Sequence, residues 1–371
     1  MYLCAKIEKM HPKIIAFYLP QFHAIPENDA WWGKGFTDWV NVKKARPLYK
    51  GHRQPRVPLK GYYDLSNVEA MRWQSELAKQ YDVAGFCFYH YWFDGKLLLE
   101  KPAEQLLVQK DIDMPFCFSW ANEPWARTWD GKARQVLMPQ RYGNRKDWEE
   151  HFDYLLPFFK DPRYICVDGC PMFLIYKTRS IPQCKEMMEL WIEKARMAGL
   201  PGIHFVQTIR ENQLDDRDLP FSANAEFEPA RSIRLQGRWV LQLQRVRRSV
   251  LRLYNKVCGC SHKTNAVIPF EKMVGLSLGT NSPVSTYGGV FAGWDNTARR
   301  TTDATIISSP SKEQFADYLR KKIKQTREVY HTNYIFVNAW NEWAEGTYLE
   351  PDTDRHYEYL EAVREVVGEF Q

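Results

Sequence analysis

Short apolar runs that alternate with helical patterns constrain the fold of this chain more than any other feature. The runs that read as strands are residues 14–20, 85–91, 115–120, 172–176, 204–209, 224–227, 289–294 and 334–338. Amphipathic helical patterns lie between most of them, most clearly at residues 66–80, 184–198 and 311–329. Eight strands that alternate with helices predict an α/β fold, the (β/α)8 TIM barrel. Barrels of this length often form one domain, so we expect a single domain over residues 1–371.

The predicted strand ends carry most of the unusual side chains. Six of the eight loops that follow strands are rich in tryptophan, tyrosine, histidine or carboxylates. Aromatic residues make up 15% of the chain, with 14 Trp and 20 Tyr, which is more than a core requires. Because the functional residues of such barrels follow the carboxyl ends of the strands, these elaborated loops predict one site at one rim.

Three glutamates are the candidate catalytic residues. Glu342 and Glu345 follow the last predicted strand among tryptophans, and carboxylates of this kind carry protons to and from a glycosidic oxygen. If the backbone turns helically there, the two carboxylates lie about 5–6 Å apart, as in retaining glycosidases. If it stays extended, they point to opposite faces. Glu123, at the end of the third predicted strand, is a rival partner for Glu342.

The other polar and aromatic residues of these loops are candidates for binding sugar hydroxyls and ring faces. For each of them the alternative is ordinary packing or surface charge. The candidate substrate-binding residues are His23, Trp32, Asp38, Trp39, Tyr89, His90, Trp92, Asn122, Trp125, Glu226, Glu228, Trp294, Asp295, Trp340, Asn341 and Trp343.

The positive charge of the chain belongs to one segment. The net charge is +6, yet residues 231–263 contain nine Lys or Arg and no acid, which leaves about −3 (6 − 9) for the rest. The insert 232–264, between the sixth and seventh strands, predicts a basic amphipathic helix. Three alternatives are open for this helix. Its apolar stripe could pack on the barrel, the helix could cover the site as a lid, or it could contact an anionic membrane surface or a lipid-linked glycan. We do not expect nucleic acid as a partner, since no recognition motif accompanies the charge.

Other classes of site and location are disfavoured. No apolar run approaches the roughly 20 residues that span a bilayer, and the N-terminus lacks the apolar core of a signal peptide. We therefore expect a cytoplasmic protein, with attachment to the face of the inner membrane as the alternative. Cys258 and Cys260 are too close for a zinc pair, and Asp216 and Asp218 form a D-x-D only within a charged loop. We expect no metal and no cofactor.

Several motifs in order carry a resemblance to a known family. They are residues 17–23, 31–39, 85–93, 119–125 and 340–346. Over residues 13–355 the chain resembles the WbsX family, which is described as glycosyltransferase-like and occurs in O-antigen and capsule gene clusters. That family is related in fold to glycoside hydrolase family 99, the endo-α-mannosidases.

The resemblance also implies roles for the two glutamates. Family 99 enzymes carry Glu-Trp-His-Glu-Gly after the last strand, and this chain has Glu342-Trp343-Ala344-Glu345-Gly346. By the resemblance, Glu342 would take the proton of the sugar 2-hydroxyl and Glu345 would protonate the departing oxygen. That route retains configuration through a 1,2-anhydro sugar. Ala344 replaces the family histidine, so mannose specificity is not carried over.

Three functions follow from these observations. The first is a metal-independent, retaining carbohydrate-active enzyme that cleaves or transfers a glycosidic bond in a bacterial oligosaccharide or polysaccharide. The second is a cytoplasmic glycosyltransferase of O-antigen or capsule biosynthesis. The third is a barrel that binds glycans without catalysis, for which glutamine at positions 342 and 345 would leave sugar affinity intact.

Overall fold

The computed structural model describes residues 11–127, 135–210, 214–258, 264–300 and 303–371. Within them eight parallel strands close into a barrel. The strands are β1 Lys13–Tyr18, β2 Val83–Phe93, β3 Phe116–Trp120, β4 Cys170–Ile175, β5 His204–Ile209, β6 Ala223–Glu226, β7 Thr286–Phe291 and β8 Tyr334–Asn338. Each pairs in parallel with the next, and β8 pairs with β1. The predicted (β/α)8 barrel is confirmed.

The strands form where the sequence is apolar without interruption. Every residue of β3, β7 and β8 is buried, which is the pattern of a parallel sheet covered on both faces. The seventh strand begins three residues before the predicted start, at Thr286. Its centre, Gly288 and Gly289, gave no apolar signal. A side chain on Gly289 would collide with the carbonyl of Glu226 on β6, so the close approach of β6 and β7 requires glycine there.

The described helices surround the barrel. They are α1 Pro26–Trp32, α2 Trp39–Lys44, α3 Val68–Gln80, α4 Lys101–Val108, α5 Arg145–Phe159, α6 Cys184–Met197, α7 Ala230–Leu235, α8 Arg238–Cys258, α9 Phe270–Gly279, α10 Lys312–Glu328 and α11 Glu358–Gly368. α10 shows why they form: Ser311 and Gln314 make a reciprocal cap, and Phe315, Leu319 and Ile323 are buried along one face.

Short elements elaborate the loops. The short strands are Lys96–Leu98, Trp125–Ala126, Val136–Met138, Cys166–Val167, Ala266–Ile268, Trp294–Asp295, Thr305–Ile307, Asn341–Glu342 and Thr347–Tyr348. The 3-10 helices are Thr178–Ser180, Asn296–Ala298 and Trp343–Glu345. Most of these elements lie after the carboxyl end of a barrel strand, where they build the walls of the rim.

The basic insert contains the predicted amphipathic helix, α8. No residue of α8 is buried, so its apolar stripe does not pack on the barrel. That alternative is wrong for α8. Within the described ranges, no helix is long and apolar enough to cross a membrane.

Candidate active site

The carboxyl ends of the strands surround a pocket of about 520 Å³. Every barrel strand or the loop after it contributes to its wall. The wall includes Gln21, Tyr89, Tyr91, Glu123, Trp125, Tyr176, Arg210, Phe227, Trp294, Arg299, Arg300, Asn338, Glu342 and Glu345. A larger cavity, of about 670 Å³, lies at the opposite end of the barrel beside Lys13 and Tyr334. The predicted glutamates line only the first of these two, so the first is the candidate active site.

The backbone after β8 turns helically, which is the first of the two alternatives for the glutamate pair. Strands Asn341–Glu342 and Thr347–Tyr348 pair antiparallel, and the 3-10 turn Trp343–Glu345 joins them. Side chains three residues apart nearly eclipse in such a turn, so both carboxylates face the pocket. Gly346 closes the turn with φ 60°, and a Cβ there would come within 2.8 Å of the Asp295 Cβ. Only glycine fits this position without displacing Asp295.

Arg299, from the loop after β7, joins the two glutamates. Its Nη2 lies 2.9 Å from Glu342 Oε1, and its Nη1 lies 2.7 Å from Glu345 Oε1. The same Nη2 donates to Asp38 Oδ2 at 2.6 Å. Three carboxylates therefore share one guanidinium, so the cluster carries a charge of −2 (1 − 3) when all three are ionised, and each bound proton reduces this excess.

Burial favours that proton. Glu342 is 5% exposed, and burial raises its pKa to about 8, against the opposing effect of Arg299 and with smaller contributions from Glu345 and Asp38. Burial also raises the pKa of Glu345, again opposed by Arg299. The Glu345 side chain remains 25% exposed. At neutral pH the pair therefore retains a proton, and proton transfer chemistry requires one acid beside one base.

Glu123 lines the same pocket but in a different electrostatic setting. Its Oε1 accepts from Arg210 Nη1 at 3.1 Å and also contacts Lys177 Nζ. Two cations thus balance this carboxylate, whereas the Glu342 and Glu345 pair has one guanidinium. This environment suits a group that orients substrate better than one that donates a proton.

Aromatic side chains form much of the remaining wall. Trp125 and Trp294, both predicted to bind sugar, are half-buried in it, and Tyr89 joins them. Tyr91 and Tyr176 also line the pocket and were not predicted. Burial raises the pKa of each of these three tyrosines, so their hydroxyls stay protonated and can donate to sugar oxygens.

His90 and Trp92 do not reach the pocket, which corrects the prediction that they bind sugar. The Nε2 atoms of His90 and His151 lie 2.8 Å apart, and the Trp92 ring stacks on His151 at 4.5 Å between centroids. The cause is the alternation of side chains along β2. Residues 89 and 91 point into the barrel mouth, so residues 90 and 92 point out toward α5.

Glu226 and Glu228 are also outside the pocket wall, and their predicted role in binding sugar is corrected. Glu226 Oε2 lies 2.8 Å from Lys322 Nζ of α10, and both side chains are fully buried. Glu228 Oε2 accepts from the Ser232 hydroxyl at 2.6 Å and from its backbone N–H at 3.0 Å. These carboxylates tie β6 and the loop after it to the outer helices.

Asp38 and Asp295 bond other side chains of the protein, which corrects the prediction that they bind sugar. Asp38 is buried and bonds Arg299, so it acts on the glutamate pair through that arginine. Asp295 Oδ2 bonds His52 Nε2 and Gln54 Nε2, each at 2.8 Å. This network lowers the pKa of Asp295 through its hydrogen bonds, against the effect of burial.

The remaining predicted binders pack the walls behind the pocket. Trp39, Trp340 and Trp343 are buried, and Trp343 Nε1 donates to Glu350 Oε2 at 2.7 Å. Asn341 bonds the backbone of the loop after β1, and Asn122 bonds the backbone of Lys177. Two others also lie outside the wall of the pocket, namely His23, which is buried, and Trp32, which is half-buried.

Two residues of the candidate site, Tyr91 and Arg299, were not predicted from the sequence. Tyr91 carried a signal, because it shares the strand face of Tyr89 and differs from it by two positions. Arg299 carried none beyond its place after a strand, since its partners are 43 residues or more away along the chain.

Comparison with known proteins assigns the chain to a family. The family described as "Glycosyltransferase WbsX" matches residues 14–363. Proteins named "Uncharacterized protein WxcX" from two strains of Xanthomonas campestris pv. campestris are 36% identical over 364 residues. That match spans 97% of this chain and 50% of each relative, so the chain covers about half the length of the curated relatives it matches.

Solved structures give the same barrel. A GH99 endo-alpha-mannosidase from Bacteroides thetaiotaomicron, in complex with bis-tris-propane, superposes with a TM-score of 0.54 at 15% identity, covering 97% of this chain and 98% of that one. A structure described as a glycoside hydrolase-like protein gives 0.56 at 11% identity, covering 96% and 94%. At these identities the likeness concerns the fold. The chain belongs to the WbsX glycosyltransferase family, and its family and fold together support a carbohydrate-active enzyme.

Proposed function

We propose that this protein cleaves or transfers a glycosidic bond in a bacterial polysaccharide, with Glu342 and Glu345 as the acid/base pair. One observation carries the proposal: two carboxylates on a single turn face one pocket and share one arginine with a third carboxylate. Tyrosine hydroxyls and tryptophan faces line the same pocket, and these groups suit sugar hydroxyls and ring faces.

The resemblance to family 99 implies retention of configuration through a 1,2-anhydro sugar, and a pair that holds one proton can carry out both steps of that route. In the first step one glutamate takes the proton of the sugar 2-hydroxyl, whose oxygen attacks the anomeric carbon. The other glutamate protonates the departing oxygen as the glycosidic C–O bond breaks. In the second step water or an acceptor hydroxyl opens the three-membered ring and gives its proton to the second glutamate, while the first returns its proton to O2. Both glutamates end in their starting states.

Two arguments assign the roles differently. The resemblance to family 99 makes Glu345 the acid, whereas deeper burial favours the resting proton on Glu342. Substrates with an activated leaving group, such as glycosyl fluorides, need no acid. The glutamine variant of the true acid therefore keeps the first step on a fluoride, measured as release of fluoride, and loses it on an ordinary glycoside, while the variant of the base loses the first step on both.

A transferase of O-antigen or capsule biosynthesis, acting in the cytoplasm, is the second candidate. The family name favours it, and so do Lys177, Arg210 and Arg300 near the pocket, since such cations bind diphosphates. In that case the donor is a nucleotide sugar and the acceptor is a growing glycan.

Thermal-shift screening against nucleotide sugars and oligosaccharides, followed by turnover assays on the compounds that bind, tests these proposals. Binding of a nucleotide sugar with transfer supports the second candidate, and turnover of an oligosaccharide alone supports the first. Glu342→Gln and Glu345→Gln are compared with Glu328→Gln, an exposed glutamate on α10. If both active-site variants bind and turn over substrate as the control does, the proposal is refuted. Sugar binding without any turnover by the wild type would instead support the barrel that only binds glycans.

A further inference from the structure

α8 presents an apolar stripe to solvent. The stripe residues follow one another at steps of three or four, which places them on one face of the helix. Their exposure ranges from 54% to 81%. The stripe consists of Trp239, Leu243, Val246, Val250, Leu253 and Val257. Six large apolar side chains in one exposed row are more than scattered surface residues, and a row of this kind marks an interaction surface.

The opposite face of α8 holds the helix on the protein. Leu241, Gln244, Leu251 and Asn255 are partly buried there. Arg248, on the same face, donates to the Thr305 hydroxyl at 3.2 Å. At 100° per residue this face lies roughly 150° from the centre of the stripe. The helix therefore contacts the rest of the protein through its polar and mixed face, and the stripe points away from the barrel.

Basic residues flank the stripe. α8 contains six Arg or Lys and no acidic residue. Arg238, Arg245, Arg252 and Lys256 run along one edge of the stripe, and Arg247 lies along the other. An apolar row between cationic edges is typical of a helix that lies in the interface of an anionic bilayer.

We propose that α8 binds an anionic lipid bilayer, with the stripe in the acyl boundary and the flanking cations at the headgroups. Charge argues against a second copy of the chain as the occupant, because two stripes face to face would bring ten basic residues together, five beside each stripe, with no acid on either helix. A nucleic acid would contact the cations through its phosphates and leave the aliphatic row exposed to water, so it explains only part of this surface.

The position of α8 connects the bilayer to the pocket. Ala230, the first residue of α7, lines the pocket, and two residues separate α7 from α8. The N-terminal end of α8 thus lies near the pocket wall, and we infer that a bilayer bound along α8 would present a membrane-held glycan to the pocket. This last step rests on the proposed function, whereas bilayer binding does not.

Flotation of the full chain with vesicles tests the proposal. One vesicle is phosphatidylcholine alone, and the other contains about one-third phosphatidylglycerol. We expect binding to the anionic vesicle only, weakened by salt. Arg245→Gln with Lys256→Gln lowers the partition coefficient about 25-fold, at roughly 5-fold per basic residue near an anionic surface. Leu243→Gln with Val250→Gln abolishes flotation, whereas the matched double variant Val108→Gln with Met197→Gln, at exposed sites of α4 and α6, floats as the wild type does.

Several results would overturn the proposal. They are equal binding of the wild type to both vesicles, binding to neither, and anionic binding that survives loss of the stripe. Self-association that depends on the stripe, without flotation, would assign the surface to a second copy instead. Turnover of a soluble substrate is measured in parallel on the Leu243→Gln with Val250→Gln variant. Unchanged turnover together with lost flotation separates bilayer binding from the proposed function.

Discussion

The raised pKa of Glu342 predicts how the stability of this protein depends on pH. The pKa rises from 4.5 to about 8 on folding, because burial disfavours the charged carboxylate. The native state then binds this proton more tightly than the unfolded chain does. The stabilisation from this tighter proton binding is complete below about pH 4.5, and it falls as the pH rises to about 8. The fall is at most about 5 kcal/mol, at roughly 1.4 kcal/mol per pKa unit, and Arg299 and Glu345 share it.

Glu342→Gln removes this dependence. Glutamine keeps the shape of the side chain and cannot ionise, so we expect the variant to gain stability relative to the wild type as pH rises. The gain between about pH 5 and about pH 8.5 should reach a few kcal/mol. Chemical denaturation of both proteins across this range measures it, with Glu328→Gln on the exposed end of α10 as the control. Parallel stability profiles for the wild type and Glu342→Gln would refute the claim that burial holds a proton on this carboxylate.

Three other perturbations test separate parts of the site. Gly346→Ala strains a residue at φ 60° and forces a Cβ against Asp295, so it should cost about 1–3 kcal/mol of stability and lower turnover. The control is Gly199→Ala, where a Cβ has space at a similar φ, and this variant should lose less stability. Arg299→Met removes the cation that lowers the pKa of both glutamates, so the alkaline limb of the pH profile of kcat/KM should move above about pH 8. Arg299→Lys keeps a cation there and should move that limb back toward its position in the wild type. His90→Phe should change the melting temperature yet leave kcat within about 2-fold, because this histidine lies outside the pocket; a large loss of kcat at unchanged stability would return it to the site.

The barrel was predictable because its strands are buried on both faces. Continuous apolar runs are the sequence signature of that environment, and β5 and β8 have the predicted bounds. β7 was misplaced because two glycines at its centre serve a close backbone approach and carry no apolar signal. The glutamates at 342 and 345 were predictable because both lie on one short turn after a strand. The inward and outward residues of β2 follow a strict alternation, but the sequence does not reveal which set faces the mouth.

Long-range ion pairs are what the sequence could not supply. The sequence around a glutamate near a strand end does not show whether its side chain faces a sugar or a lysine. Glu226 contacts Lys322 only because β6 packs on α10. Similarly, Arg299 reaches the glutamate pair across the neighbouring ends of β7 and β8. Such partners are fixed by the packing of the barrel and its loops, and nothing in the local pattern around each residue encodes them.

Cation contacts differ between the proposed acid/base pair and two other carboxylates of the barrel. Glu226 and Glu123 each contact two basic side chains. Glu342 and Glu345 share a single guanidinium with a third carboxylate, as far as direct contacts among the described residues extend. Neighbouring cations favour the charged form of a carboxylate, whereas burial of a cluster that is short of cations favours the bound proton. The proposed function therefore assigns proton transfer to the end of β8, and a separate arginine for each of these glutamates would lower their pKa and remove the resting proton that the proposed mechanism needs.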